Sequence, residues 1–146
     1  MRLKSRLSAA AVTTLALSWG LAGCGSSGSS GGTTAATTVD GVKHLDVKAF
    51  AALAGGASTV VLDVRTPGEF ATGHLPNARV LDFRGADFDA QLGTLDKQAM
   101  YAVYCHSGNR SGQALQRMQA AGFTHVADLS GGVTAWSQAG RSLVTG

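Results

Sequence analysis

From residue 42 onward, short apolar runs alternate with stretches that are apolar on one side only. Residues 46–53 place Val47, Ala49, Phe50 and Leu53 at helical spacing, and Gly55-Gly56 ends that helix. Residues 59–64 read TVVLDV, apolar nearly throughout, which predicts a strand covered on both faces. Thr66-Pro67-Gly68-Glu69 follows. Thr66 suits an N-cap, Pro67 the first helical position and Glu69 the third, so the segment predicts a capping box and a short helix to about residue 73. His74-Leu75-Pro76-Asn77 reads as a turn and residues 78–83 as a strand. A helix is expected over 87–95, with Phe88, Leu92 and Leu95 on one side. Residues 100–104 form an apolar, aromatic strand that ends directly at Cys105. Residues 110–121 predict a helix with Ala114, Leu115, Met118 and Ala121 inward, closed by Gly122. A strand over 125–129, a break at Gly131-Gly132 and a helix over 133–138 holding Trp136 complete the chain.

Strands that alternate with helices predict an α/β domain: a mainly parallel central sheet flanked by helices on both faces. In such sheets ligands bind beyond the carboxyl ends of the strands. Cys105 sits at one of those ends.

The N-terminus has a different texture. Arg2, Lys4 and Arg6 precede an uncharged, Ala- and Leu-rich run over 7–21, and Leu21-Ala22-Gly23-Cys24 follows. That is the layout of a secretory signal. The run falls short of the roughly 20 residues a membrane span needs, which disfavours an uncleaved anchor. Leu-Ala-Gly-Cys resembles the bacterial lipobox. The resemblance implies that residues 1–23 are a lipoprotein signal peptide, removed to leave an acylated Cys24. The protein is then exported and lipid-anchored to the bacterial cell envelope. The alternative is an ordinary signal peptide cleaved nearby, with Cys24 incidental. Buried lipid contributes about 0.8 kcal/mol per CH₂, so stable anchoring takes more than one chain. The next residues, GSSGSSGGTTAATT, carry no charge and no large apolar side chain. With Cys24 they make a flexible tether over 24–38, about 20 Å long by random-coil scaling. The domain is placed at 39–146.

Charge follows from that division. The whole chain carries +3, but three of its twelve basic residues lie in the signal segment. From Cys24 on, nine acidic residues balance nine basic ones. A neutral domain lacks the electrostatic footprint of nucleic-acid binding. The two cysteines provide no disulfide framework if Cys24 is modified.

Cys105-His106-Ser107-Gly108-Asn109-Arg110-Ser111 is the segment with chemistry. A strand runs into it and a helix leaves it. The loop can curl around the sulfur and aim backbone N–H groups at it, with positive potential from the helix N-terminus. Gly108 supplies a conformation that most residues resist. Such surroundings favour the thiolate, which is the nucleophile, and equally a persulfide anion. A buried structural cysteine is the competing reading. The polar His106, Ser107, Asn109 and Arg110 argue for an exposed loop instead.

These residues resemble the rhodanese (sulfurtransferase) family. Asp63-Val64-Arg65-Thr66-Pro67-Gly68-Glu69-Phe70 resembles its first signature, continued by Gly73-His74-Leu75-Pro76-Asn77-Ala78. Cys105 to Ser111 resembles its active-site loop. Gly122-Phe123, Val126, Leu129, Gly131-Gly132 and Ala135-Trp136 resemble its C-terminal signature. The resemblance implies a single rhodanese-like domain in which Cys105 takes a sulfane sulfur from a donor such as thiosulfate and passes it to a thiophilic acceptor. Backbone amides from His106 to Ser111 would hold the persulfide. Arg110 would fix the loop or attract an anionic donor. No metal or organic cofactor is implied, and the histidines and cysteines lack metal-site spacing. Four residues separate Cys105 from Arg110. Related cell-cycle phosphatases of similar fold have one more, so phosphatase activity is disfavoured. Val80-Leu81-Asp82-Phe83-Arg84 departs from the family pattern and would reshape one wall of the pocket.

Asp63 and Arg65 are candidate support for the site. The plainer reading is structural, with Asp63 ending a buried strand and Arg65 paired to Glu69. His74 reads as a hydrogen-bonding scaffold, Trp136 as core, and His44 and His125 as having no evident partner. Two functions stay open: an enzyme of the thiosulfate sulfurtransferase type, with a small sulfur donor and a thiol, cyanide-like or protein acceptor, and a module that presents a persulfide or sulfur ligand to a membrane partner without turnover. A thiol reductase or redox sensor is disfavoured, since the domain has no resolving cysteine.

Overall fold

The structure is a computed structural model that describes residues 37–39 and 42–146. The signal segment, Cys24 and the tether up to residue 36 lie outside the described residues. β1 (Thr37–Val39) includes Thr37 and Thr38, so strand pairing starts within the stretch read as tether.

The sheet runs β1-β2-β6-β5-β3-β4, where β2 is Val42–Leu45, β3 Thr59–Asp63, β4 Ala78–Val80, β5 Met100–Tyr104 and β6 Val126–Leu129. β1 is antiparallel to β2, and the other neighbouring pairs are parallel. The helices are α1 (Val47–Ala54), α2 (Pro67–Ala71), α3 (Phe88–Gly93), α4 (Asn109–Ala120) and α5 (Gly132–Gln138).

Strand periodicity divides the core into two layers. On β5, Tyr101 and Val103 face one side with Cys105 continuing the parity, and they pack with Leu62, Phe88, Leu92, Ala114, Leu115 and Met118. Ala102 and Tyr104 face the other side with Phe50, Val61, Leu129, Val133 and Trp136. So α3 and α4 cover one face, and α1 and α5 the other. Each fully buried Leu, Val or Phe contributes about 1.5–3 kcal/mol, which fixes the central strands in depth and register.

Local signals explain most boundaries. Asp46 caps α1 by accepting the Ala49 N–H at 2.7 Å. Thr66 and Glu69 form the expected capping box, with Pro67 at the helix start. α2 ends at Ala71, before the expected 73, and Gly73 adopts φ +144°. β4 is shorter than the predicted 78–83, although Leu81 and Phe83 still donate to Asp63 and Val64 at 2.8 and 3.4 Å. β1 and β2 were not predicted. Thr-Thr-Val looks like the end of a polar tract, and Val-Lys-His-Leu alternates too poorly to mark a strand.

One topological feature positions the site. β3 and β5 are neighbours, but the chain leaves β3 for β4 on one side and β5 for β6 on the other. Their following loops diverge, the arrangement that in such sheets makes the ligand-binding crevice at the carboxyl edge.

Candidate active site

Cys105 follows β5 directly, at that crevice. Its surroundings differ from the expected open loop in one respect. His106, Ser107 and Asn109 are exposed, but Cys105 is only 1% exposed because it keeps the inward parity of β5. Ser111 is also buried.

Two glycines make the loop close. Gly108 has φ +94°, a left-handed conformation costly for other residues, and its N–H donates to Cys105 Sγ at 3.1 Å. Gly132 has φ +57°, and a β-carbon there would lie 2.3 Å from the Cys105 carbonyl oxygen. The bare backbone lets the first turn of α5 press on the loop. Val133 N–H donates to the Cys105 carbonyl at 2.9 Å, and Thr134 N–H to the His106 carbonyl at 3.1 Å. The Thr134 hydroxyl adds a bond to His106 O at 3.0 Å. With these carbonyls held by α5, the loop curls around the sulfur and the N-terminus of α4 follows at once.

Arg110 is held across the crevice. It makes a two-pronged pair with Glu69, both bonds 2.7 Å. The Arg110 bonds hold the Glu69 carboxyl down at about 2 from its ordinary 4.5, against burial and with help from the Thr66 backbone. Glu69 in turn raises the Arg110 guanidinium. Because Glu69 also closes the Thr66 capping box, one carboxylate ties the start of α2 to the start of α4.

The expected Arg65–Glu69 pair does not form. Arg65 turns back on Asp63, with Nε and Nη2 donating to the carboxylate at 2.6–2.9 Å and Nη2 also to the Gly73 carbonyl at 2.8 Å. The physical reason is the end of β3: the Arg65 N–H also donates to Asp63 Oδ1, a tight local turn that aims the side chain inward and not along α2. Burial opposes the Arg65 charge, but Asp63 more than offsets it and the guanidinium stays above its ordinary value. Tyr104 lies beneath, its ring 5.7 Å from the guanidinium and its hydroxyl accepting the Leu75 N–H at 3.1 Å. Burial pushes the Tyr104 phenol up. Asp63 and Arg65 therefore brace the segment around residues 73–75.

His74 stacks on Phe70 and its Nδ1 lies 3.1 Å from the Phe70 carbonyl. His44 does have a partner, contrary to expectation: Nδ1 is 2.6 Å from Asp128 Oδ1. Asp128 Oδ2 accepts the Ser111 hydroxyl at 2.7 Å. Sequence reading missed Asp128 as well as the Glu69–Arg110 bridge. The available signal was an aspartate inside the buried run Val-Ala-Asp-Leu, since a buried carboxylate needs partners. Among the described residues no three His, Cys, Asp or Glu side chains converge as a metal site would require.

The chain is similar to known proteins in sequence and in fold. The rhodanese-like domain profile matches residues 46–139, so the chain belongs to the rhodanese-like domain family. A sulfurtransferase of Allochromatium vinosum is 33% identical over 92 residues, 63% of this chain and 84% of that protein. A thiosulfate sulfurtransferase, GlpE, of Pseudomonas putida is 38% identical over 78 residues, 53% of this chain and 68% of that one. An uncharacterised protein of Synechocystis is 37% identical over 87 residues, 60% of this chain, and the match spans only 48% of its length. The crystal structure of a rhodanese-related protein from Thermoplasma volcanium superposes with TM-score 0.63 at 25% identity, covering 70% of this chain and 98% of that one.

Proposed function

We propose that this domain is a sulfurtransferase that carries sulfane sulfur on Cys105, with thiosulfate or a similar small anion as donor. The observation that carries the reading is the Gly108 N–H aimed at Cys105 Sγ in a loop that opens directly into the N-terminus of α4. A donor sulfur bonded there gains a negative charge, and oriented N–H groups stabilise it without reorganisation. In the first half-reaction the Cys105 thiolate attacks the outer sulfur of thiosulfate. A new S–S bond forms, the donor's S–S bond breaks, and sulfite leaves with the electron pair. In the second, cyanide, a thiolate or a protein thiol attacks the terminal sulfur of the persulfide, and the Cys105 thiolate is released. Arg110, held by Glu69, fixes the loop in both steps. No cofactor is required, since both steps are displacements at sulfur.

The test is thiosulfate-to-cyanide transfer by the full chain beside Cys105→Ser. Thiocyanate formation that disappears in the mutant supports the reading. Its absence in the reduced wild type overturns it. A second reading, a persulfide- or sulfur-ligand-binding module without turnover, is favoured by the burial of Cys105. It predicts that Cys105 gains one sulfur atom by mass spectrometry but does not discharge to cyanide.

The Leu-Ala-Gly-Cys segment supports an exported, lipid-anchored location in which the domain serves a membrane-proximal acceptor. Acyl-chain labelling of the expressed chain that is lost in Cys24→Ala would bear this out, and equal labelling of both would refute it.

A further inference from the structure

A line of bonded groups runs from β2 to the reactive sulfur, and the sulfur-transfer reading makes no use of its far end. His44, whose side chain is 30% exposed, sits with Nδ1 2.6 Å from Asp128 Oδ1. Asp128 is fully buried on β6. Its other oxygen accepts the Ser111 hydroxyl at 2.7 Å, and the same single hydroxyl proton is shared with the Gly108 carbonyl, 3.1 Å from Ser111 Oγ. The Gly108 N–H, on the same residue, donates to Cys105 Sγ at 3.1 Å. The His44 ring also lies over the first turn of α4: a β-carbon at Gly112 would be 3.6 Å from His44 Cε1.

We propose that Asp128, oriented by His44, is a positioning residue for the Cys105 loop, acting through Ser111 to hold the Gly108 turn against the sulfur. This rests on the sulfur-transfer reading only for its kinetic consequence. The geometric claim concerns the reactivity of Cys105 itself.

Packing alone would not require this arrangement. An apolar residue at position 128 fits a buried strand, while a buried carboxylate is costly unless its oxygens are bonded. Here both oxygens are bonded, one to Ser111 in the first turn of α4 and one to His44 on the adjacent strand β2. The buried acid therefore fixes two elements relative to each other at the point where the loop turns. Burial raises the Asp128 carboxyl, and the Ser111 and His44 bonds act against that rise. Removing either bond disturbs the orientation of the other.

The experiment uses the full chain and the variants Asp128→Asn, Asp128→Ala, Ser111→Ala, His44→Ala and His44→Gln. Iodoacetamide alkylation of Cys105 is followed by peptide mass spectrometry, which separates it from Cys24. Thiosulfate:cyanide kcat and KM are measured beside it, with thermal melting as the fold control. Asp128→Ala and Ser111→Ala are expected to change the alkylation rate and lower kcat about tenfold, equivalent to about 1.4 kcal/mol, with KM little changed. His44→Ala gives a smaller drop in the same direction, and His44→Gln, which keeps a side-chain donor, restores most of it. His44 is on the surface side of the line, so its variants remain folded even where Asp128→Ala does not. Folded His44→Ala and Ser111→Ala proteins with wild-type alkylation rate and kcat overturn the proposal, while Asp128→Asn, which keeps an acceptor for Ser111, is expected to fall between wild type and Asp128→Ala. If the wild type itself does not turn over, the sulfur-transfer reading fails, and the alkylation rates still decide the positioning role.

Discussion

Two arginines in this crevice each grip a carboxylate with paired bonds, and they do different things. Arg65 and Asp63 lie beneath the segment that follows α2, with side chains only 4% and 0% exposed. Arg110 and Glu69 lie at the mouth, 13% and 34% exposed. In the first pair the charges are out of water and every bond is needed, because breaking a buried pair strands a charge. In the second, water can solvate what is lost, so little stability is at stake. What the mouth pair supplies is geometry: it holds the start of α4, and so the Cys105 loop, to the start of α2. The same chemical contact is thus a structural brace at one depth and a positional clamp at another.

The sharpest way to break this comparison is Arg65→Met. It leaves Asp63 buried and unpaired and is expected to cost about 3–5 kcal/mol in urea unfolding. A loss below about 1 kcal/mol would show the two pairs to be equivalent. Tyr104→Phe comes next. It removes the acceptor of the Leu75 N–H, and its expected cost is about 1–3 kcal/mol in the same measurement. Glu69→Gln tests the clamp. Stability falls by about 1 kcal/mol or less, while kcat/KM for thiosulfate falls roughly tenfold; a stability loss without a rate loss would reverse the assignment. The smallest effect is in acid. Glu69 has a folded value near 2 against an ordinary 4.5, so its stabilisation is complete above about 4.5 and disappears as pH falls through about 2. The melting-temperature gap between wild type and Glu69→Gln should close over that window.

The layered fold was legible because each central strand is a short apolar run ended by turn residues, and each long helix shows its apolar spacing. The capping box at Thr66 and the position of Cys105 directly after β5 were visible for the same reason: both depend on residues close in sequence. What could not be read were partnerships across the sheet. Thr66-Pro67-Gly68-Glu69 reveals that Glu69 caps α2, but not that its carboxylate also receives an arginine 41 positions on. Arg65 was expected to pair with Glu69, yet Arg65 precedes the helix, where the turn after β3 governs. His44 and Asp128 are 84 positions apart and meet only because β2 and β6 are adjacent strands. The depth of Cys105 was misjudged from its polar neighbours. Strand parity sets it, and parity follows from Tyr101 and Val103.

The contact between Gly132 and the Cys105 carbonyl has a consequence for the order in which the site comes into being. During synthesis, Cys105 leaves the ribosome ahead of Gly132, Val133 and Thr134, the residues that hold the loop carbonyls. A nascent chain that already contains the entire Cys105–Arg110 loop still lacks the turn of helix against which it closes. The Cys105 loop can therefore take up its closed geometry only once α5 is there to hold its carbonyls.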